Sequence, residues 1–250
     1  GEYLNGERNG KGKEYYENGE LKFEGEYLNE HKIKGKKYHT DGKLEYEGEF
    51  LYDKKYNGKG YDNNGNIIYE LNNGKGTYKE FYENGKIKME ILYLNELKEG
   101  KGKEYYDNSN LKFEGEYYNY KRWNGKGYDN KNNLVYELKD GKGYIKEYCD
   151  NGNLKYEGEL INGELNGEGK EYDEKGKLIF EGEYINGKRN GEGEEFYCYI
   201  RKYKGEYLNG KRNGKGKEFY FRHQLKFKGE YLSGKKWNGI GYDINRKIIS

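Results

Sequence analysis

The chain has 250 residues, a formal net charge of +2, and 37% charged against 32% hydrophobic residues. That balance leans toward disorder and excludes a large globular core, yet the 17% aromatic content, with 32 Tyr, argues for folding, since disordered chains are poor in aromatics. The near-neutral charge also excludes the strongly basic domain expected of a nucleic-acid-binding protein.

The chain has no Pro and no Ala, and Asn, Ile, Tyr and Lys abound. This is the bias of AT-rich codons, so 40 glycines kept against it point to structural need. Cys149 and Cys198 have no metal-ligand spacing and cannot build a disulfide framework, in keeping with a reducing compartment. No apolar run approaches about 18 residues, and there is no signal peptide. The chain opens at Gly1-Glu2-Tyr3, inside a motif and without an initiator Met, which reads as a piece of a longer protein.

The first clear element is LKFEGEYL, residues 21–28. Leu21, Phe23, Gly25 and Tyr27 alternate with Lys22, Glu24, Glu26 and Leu28, the period of a strand. Near copies of its FEGEY core follow at 46–50, 113–117, 156–160, 180–184, 203–207 and 227–231. A degenerate copy runs from Met89 to Tyr93, where Ile91 and Leu92 replace Gly-Glu. A turn comes next, LNGKRNG in the best copies, then a return strand such as GKGKEYYEN, then a second turn such as Asn18-Gly19. Sixteen Asn-Gly pairs supply the positive φ angles that tight hairpins need.

The return strand carries Gly-x-Gly, whose second glycine falls at 12, 35, 60, 76, 102, 127, 143, 169, 193, 216 and 241. The gaps are 23 to 26 residues except for two of 16, which define short units at 60–76 and 127–143. YNGKGYDNNGNIIYELNNGKG from Tyr56 matches WNGKGYDNKNNLVYELKDGKG from Trp123, and a third copy begins at Trp237. A helical reading fails, because Gly and Asn-Gly interrupt every dozen residues and no 3.6-residue apolar stripe survives. The spacing predicts an all-β, elongated, single-layer antiparallel meander of repeated β-hairpins. It would hold about eleven units over residues 1–250 as one continuous array, its stability dominated by nearest-neighbour contacts.

The pattern YEGEY-x-NG-K-x-NG-x-G-x-x-x-Y resembles the MORN (membrane occupation and recognition nexus) repeat family, in register over nearly the whole chain. The resemblance implies hairpins stacked into a twisted sheet with a groove. It also implies roles in scaffolding, membrane-associated organisation and protein–protein contact, with phosphoinositide binding in some members. The chain departs from the family where Tyr27, Phe50, Tyr117, Tyr184, Tyr207 and Tyr231 stand at a position that is often Trp.

Three residue sets are candidates for function or structure. Gly25, Gly48, Gly115, Gly158, Gly182, Gly205 and Gly229 clear space beneath aromatic rings. In the hairpin FEGEYINGKRNGEGEEF, Gly193 has the same task, while Gly187 and Gly191 bend the chain. Phe23, Tyr27, Phe113, Tyr117, Phe180, Tyr184, Tyr203, Tyr207, Phe227 and Tyr231 form an aromatic face, either packed against the next hairpin or left partly open as a binding groove. Lys121-Arg122, Lys188-Arg189, Lys211-Arg212 and Lys235-Lys236 sit at turns. Stacked, they would line one edge and attract anionic headgroups at about 1 kcal/mol per charge, unless they are simply solvated and offset by Glu183, Glu206 and Glu230.

Enzymatic activity is not expected. His31, His39 and His223 share no motif context, and no catalytic motif, metal-ligand set or cofactor motif appears. The expected function is a non-catalytic scaffold for protein partners, cytoplasmic, either free or peripheral to a membrane or the cytoskeleton, with homo-oligomers forming through open sheet edges or ends. The alternatives are anionic phospholipid binding, a carbohydrate- or choline-binding repeat, and the targeting region of an enzyme.

Overall fold

The computed structural model describes residues 1–94 and 97–249. Two compact units divide the chain. The first comprises Gly1–Ser109 with Glu116–Tyr120, and the second comprises Asn110–Gly115 with the chain from Lys121 on.

In the first unit, β1 (Tyr3–Leu4) and β2 (Glu7–Arg8) form a small hairpin of their own. Then come β3 (Gly10–Tyr15), β4 (Leu21–Leu28), β5 (His31–Tyr38), β6 (Leu44–Leu51), β7 (Lys54–Tyr61), β8 (Ile67–Asn72), β9 (Lys75–Phe81), β10 (Ile87–Leu94) and β11 (Leu97–Tyr105). From β3 on, each pairs antiparallel with the next. Residues of β12 (Leu111–Tyr118) belong to both units.

The second unit continues with β13 (Lys121–Tyr128), β14 (Leu134–Leu138), β15 (Gly143–Tyr148), β16 (Leu154–Ile161), β17 (Glu164–Tyr172), β18 (Leu178–Ile185) and β19 (Lys188–Tyr197). It ends with β20 (Ile200–Leu208), β21 (Lys211–Phe219), a 3-10 turn at Phe221–His223, β22 (Leu225–Leu232) and β23 (Lys235–Gly241). Strands β15 to β23 make a nine-stranded antiparallel sheet in sequence order. The fold is therefore the all-β meander of hairpins that the alternation predicts.

Turn chemistry explains the hairpins. Asn186 (φ 50°) and Gly187 (φ +74°) both adopt the left-handed conformation of a two-residue turn. The turn also fastens to the hairpin before it. The N–H of Gly187 donates to Leu165 O at 2.9 Å, that of Gly210 to Arg189 O at 2.8 Å, and that of Gly234 to Arg212 O at 2.8 Å.

Gly191 (φ +89°) differs from the sequence expectation. It lies inside β19, in a bulge between the pairs Gly182↔Gly193 and Tyr184↔Arg189. It bends the strand and plays no part in the turn itself.

The sequence also reads as one unbroken sheet, whereas the ladder opens at the second short unit. There β14 and β15 meet through the isolated bridge Lys139↔Lys142. The first short unit is similar, with β8 and β9 paired at Leu71↔Gly76 and Asn72↔Lys75. A 16-residue spacing leaves too little chain for two fully paired strands.

Candidate functional site

The aromatic face is closed. Phe23, Tyr27, Phe113, Tyr117, Phe180, Tyr184, Tyr203, Tyr207, Phe227 and Tyr231 are all buried. They pack edge to face across hairpins: Phe180 meets Tyr207 at 5.2 Å and 85°, and Tyr203 meets Tyr231 at 5.2 Å and 87°. Of the two readings the sequence leaves open for these residues, packing against the next hairpin is the one observed.

The glycines permit this packing in two ways. A Cβ on Gly193 would lie 2.6 Å from the Phe180 ring, as the alternation predicts. At Gly182 the nearest obstacle is backbone, with Glu192 O at 2.5 Å and Gly193 Cα at 2.6 Å, ahead of the Phe180 ring at 3.1 Å. Paired glycines let adjacent strands approach and then carry the ring above them. Gly25, Gly48, Gly115, Gly205 and Gly229 likewise meet the facing strand's backbone first, whereas Gly158 meets the Tyr156 hydroxyl first, at 2.4 Å.

The basic pairs do not form a solvated double row. Strand alternation sends the two members of each pair to opposite faces. Lys188, Lys211 and Lys235 are exposed and have no ion-pair partner among the described residues, whereas Lys121 pairs with Glu164 at 2.8 Å. The second members cap the aromatic face. The Arg189 guanidinium lies 4.0 Å from the Phe180 ring centroid, Arg212 4.2 Å from Tyr203, Arg122 4.8 Å from Phe113, and Lys236 Nζ 4.7 Å from Phe227.

Carboxylates hold these cations in a ladder that runs from β17 to β23. Arg189 pairs with Glu171 at 2.6 Å, and Arg212 bridges Glu195 to Glu218, the latter at 2.9 Å. Lys236 pairs with Glu218 at 2.8 Å. Tyr184 and Tyr207 donate their hydroxyls to Glu171 (2.5 Å) and Glu195 (2.6 Å). Burial alone would raise the Glu171 and Glu195 carboxyls, but the facing guanidinium and the tyrosine hydroxyl hold both below the usual carboxylate range.

The opposite face is the open one. The residues on either side of each central glycine project there, so a trough runs across the strands with bare glycine backbone as its floor. In the second unit it forms a groove of about 590 Å³ floored by Gly169, Gly182 and Gly193 and walled by Glu168, Lys170, Glu181, Glu192, Glu194 and Lys204. In the first unit a groove of about 630 Å³ is floored by Gly12, Gly25 and Gly35.

The two grooves differ in charge. Along one wall of the first, opposite signs alternate strand by strand: Lys11↔Glu26, then Lys34↔Glu49. The corresponding row in the second unit is Glu159, Glu168, Glu183, Glu192 and Glu206 on five successive strands, of which Glu168 and Glu192 line the groove, with Glu168↔Glu183 and Glu192↔Glu206 directly opposed. None of these five has an ion-pair partner among the described residues. Like charges directly across a ladder are destabilising. Sequence reasoning saw Glu183 and Glu206 only as an offset to the basic turns. Reading the residue beside each central glycine, strand by strand, would have found the row.

His31 Nδ1 lies 2.6 Å from Asp53 Oδ2. Among the described residues no group of His, Cys, Asp and Glu is arranged to hold a metal ion. No helix among them is long and apolar enough to cross a membrane.

Stacked hairpins, paired glycines and a single aromatic face define an antiparallel hairpin-repeat protein. The MORN repeat variant family matches residues 8–29, 33–52, 75–95, 98–119 and 165–186, and the MORN repeat family matches 180–198 and 203–221. Together these matches cover more than half of the chain, which belongs to the MORN repeat family. No curated protein matches it. Among solved structures, a chain from the crystal structure of TcdB2-TccC3-Cdc42 aligns at 13% identity with a TM-score of 0.21. The alignment covers 90% of this chain and 15% of that one.

Proposed function

We propose that this chain is a non-catalytic scaffold that engages protein partners through the glycine-floored face of its second unit, and that the partner is cationic where it meets the glutamate row. The family sets the class, since MORN repeats often occur in protein-interaction or membrane-associated proteins. The carrying observation is the run Glu159, Glu168, Glu183, Glu192 and Glu206, kept without counter-charges in a protein that pairs its other face so fully. Repulsion within the row is relieved when a cationic segment lies along it. Binding at the basic turns has less support, because Arg122, Arg189, Arg212 and Lys236 are committed to carboxylates and rings.

Fluorescence anisotropy with a labelled Lys/Arg-rich peptide tests the proposal. The peptide should bind the chain at low salt, weaken as salt rises, and lose about tenfold or more in affinity to a Glu183→Lys/Glu192→Lys/Glu206→Lys variant. Peptide affinity unchanged by that reversal would contradict the proposal. So would binding confined to phosphoinositide vesicles and abolished by Lys188→Glu/Lys211→Glu/Lys235→Glu.

A further inference from the structure

The trough of the second unit runs on past the glutamate row. Its floor continues over Gly205, Gly216 and Gly229, each directly opposite the next in the ladder of β20, β21 and β22. The residues flanking these glycines project onto the same open face as Glu168 and Glu183. There the sign of the charge reverses: Lys215 and Lys217 flank Gly216, and Lys228 precedes Gly229.

Register presses the lysines together. Lys217 stands directly between Lys204 and Lys228 of the neighbouring strands. Lys204 is neutralised by Glu194 at 2.9 Å, but Lys215, Lys217 and Lys228 are exposed and have no ion-pair partner among the described residues. Glu230 stands opposite Lys215 and offsets one of the three. On the far side of Lys228 the ladder places Ile240, which brings no charge. Like charges directly across a ladder are destabilising, so this cluster costs stability in the free chain as the glutamate row does.

Elsewhere on the open face, neighbours pair off. Lys146 meets Glu157 at 3.5 Å, Lys170 meets Glu181 at 3.9 Å, and Glu194 takes both Lys204 and Arg201. The charge left over is therefore segregated, negative from β16 to β20 and positive across β21 and β22.

We propose, building on the glutamate row as the seat of a cationic partner, that the segment lying in this trough is itself bipolar: a cationic stretch over the glutamates, continued by an acidic stretch over Lys215, Lys217 and Lys228. From β16 to β22 the trough crosses six strand spacings, about 29 Å, a span that about nine extended residues fill. Lysine and glutamate blocks in that order meet opposite charge along the whole length, whereas the same residues intermixed set like charges against both rows. A bipolar segment also docks in one register, because sliding carries its acidic end onto the glutamates.

Fluorescence anisotropy with three labelled peptides and the full chain tests this. One peptide carries a block of lysines followed by a block of glutamates, the second has the same residues in mixed order, and the third has the lysine block followed by serines. The block peptide should bind at least about fivefold tighter than the mixed one. Lys217→Glu/Lys228→Glu should erase that difference and leave the lysine–serine peptide bound at least as tightly as before. If this reversal disturbs folding, the peptides still decide the matter on the unaltered chain. Equal affinity for the block and mixed peptides, or a difference that survives the reversal, would overturn the bipolar segment and leave the glutamate row standing. Capture of phosphoinositide vesicles by the lysines, with no preference for the block peptide, would overturn it in favour of a lipid surface. A lysine–serine peptide that fails to bind, or that ignores Glu183→Lys/Glu192→Lys/Glu206→Lys, would overturn both the row as a binding surface and the bipolar segment built on it.

Discussion

Arg189 shows what one residue does in this fold. Its guanidinium lies on the Phe180 ring, 4.0 Å from the centroid, and pairs with Glu171 at 2.6 Å, so its removal strips a cation from a ring and leaves a half-buried carboxylate uncompensated. Arg189→Ala should cost about 1–3 kcal/mol in urea denaturation, the lower end reflecting residual solvent access. The adjacent Lys188→Ala, on an exposed side chain, should stay within about 0.5 kcal/mol. Equal effects would show that the two side chains do not point to opposite faces. The difference was within reach of the sequence, because Arg189, Gly191, Gly193 and Glu195 share parity along one strand. Treating Lys188-Arg189 as a turn pair hid it. The bulge at Gly191 was less accessible, because a glycine two residues past an Asn-Gly turn reads as part of the turn.

At the scale of the hairpin, the FEGEY strands and Asn-Gly turns were legible because alternation and turn chemistry act within a few residues. The carboxylate ladder was not, since Glu171, Glu195 and Glu218 meet cations from other hairpins. That ladder links stability to pH. The folded-state values of these carboxyls lie below the ordinary one, opposed by burial but lowered more by Arg189, Arg212 and Lys236 respectively. Groups of this kind contribute stability that is present above their unfolded value of about 4.3 and lost as pH falls through the folded values. Melting temperature should therefore drop steeply below about pH 4.3. Glu195→Gln should flatten that dependence as well as lower the plateau. A variant with an unchanged acid slope would show that Glu195 is not so coupled.

Across the whole molecule, the two faces of the hairpin array carry different instructions. One satisfies itself with rings, cations and carboxylates; the other presents glycine backbone between charged walls. Repeat counting made the array readable from sequence. The open ladder at β14 and β15 was not, because it depends on how much chain each short unit leaves for pairing. The charge asymmetry between the two grooves also needs register, since it is the pairings Glu168↔Glu183 and Glu192↔Glu206 that bring the like charges of this row face to face. The most direct test is an amide chemical-shift map of the chain titrated with a Lys/Arg-rich peptide. Shifts concentrated at Gly169, Gly182, Gly193 and Gly205, with the turn amides of Gly187, Gly210 and Gly234 unmoved, are the predicted result. Shifts concentrated at those turn amides, with the central glycines silent, would contradict it.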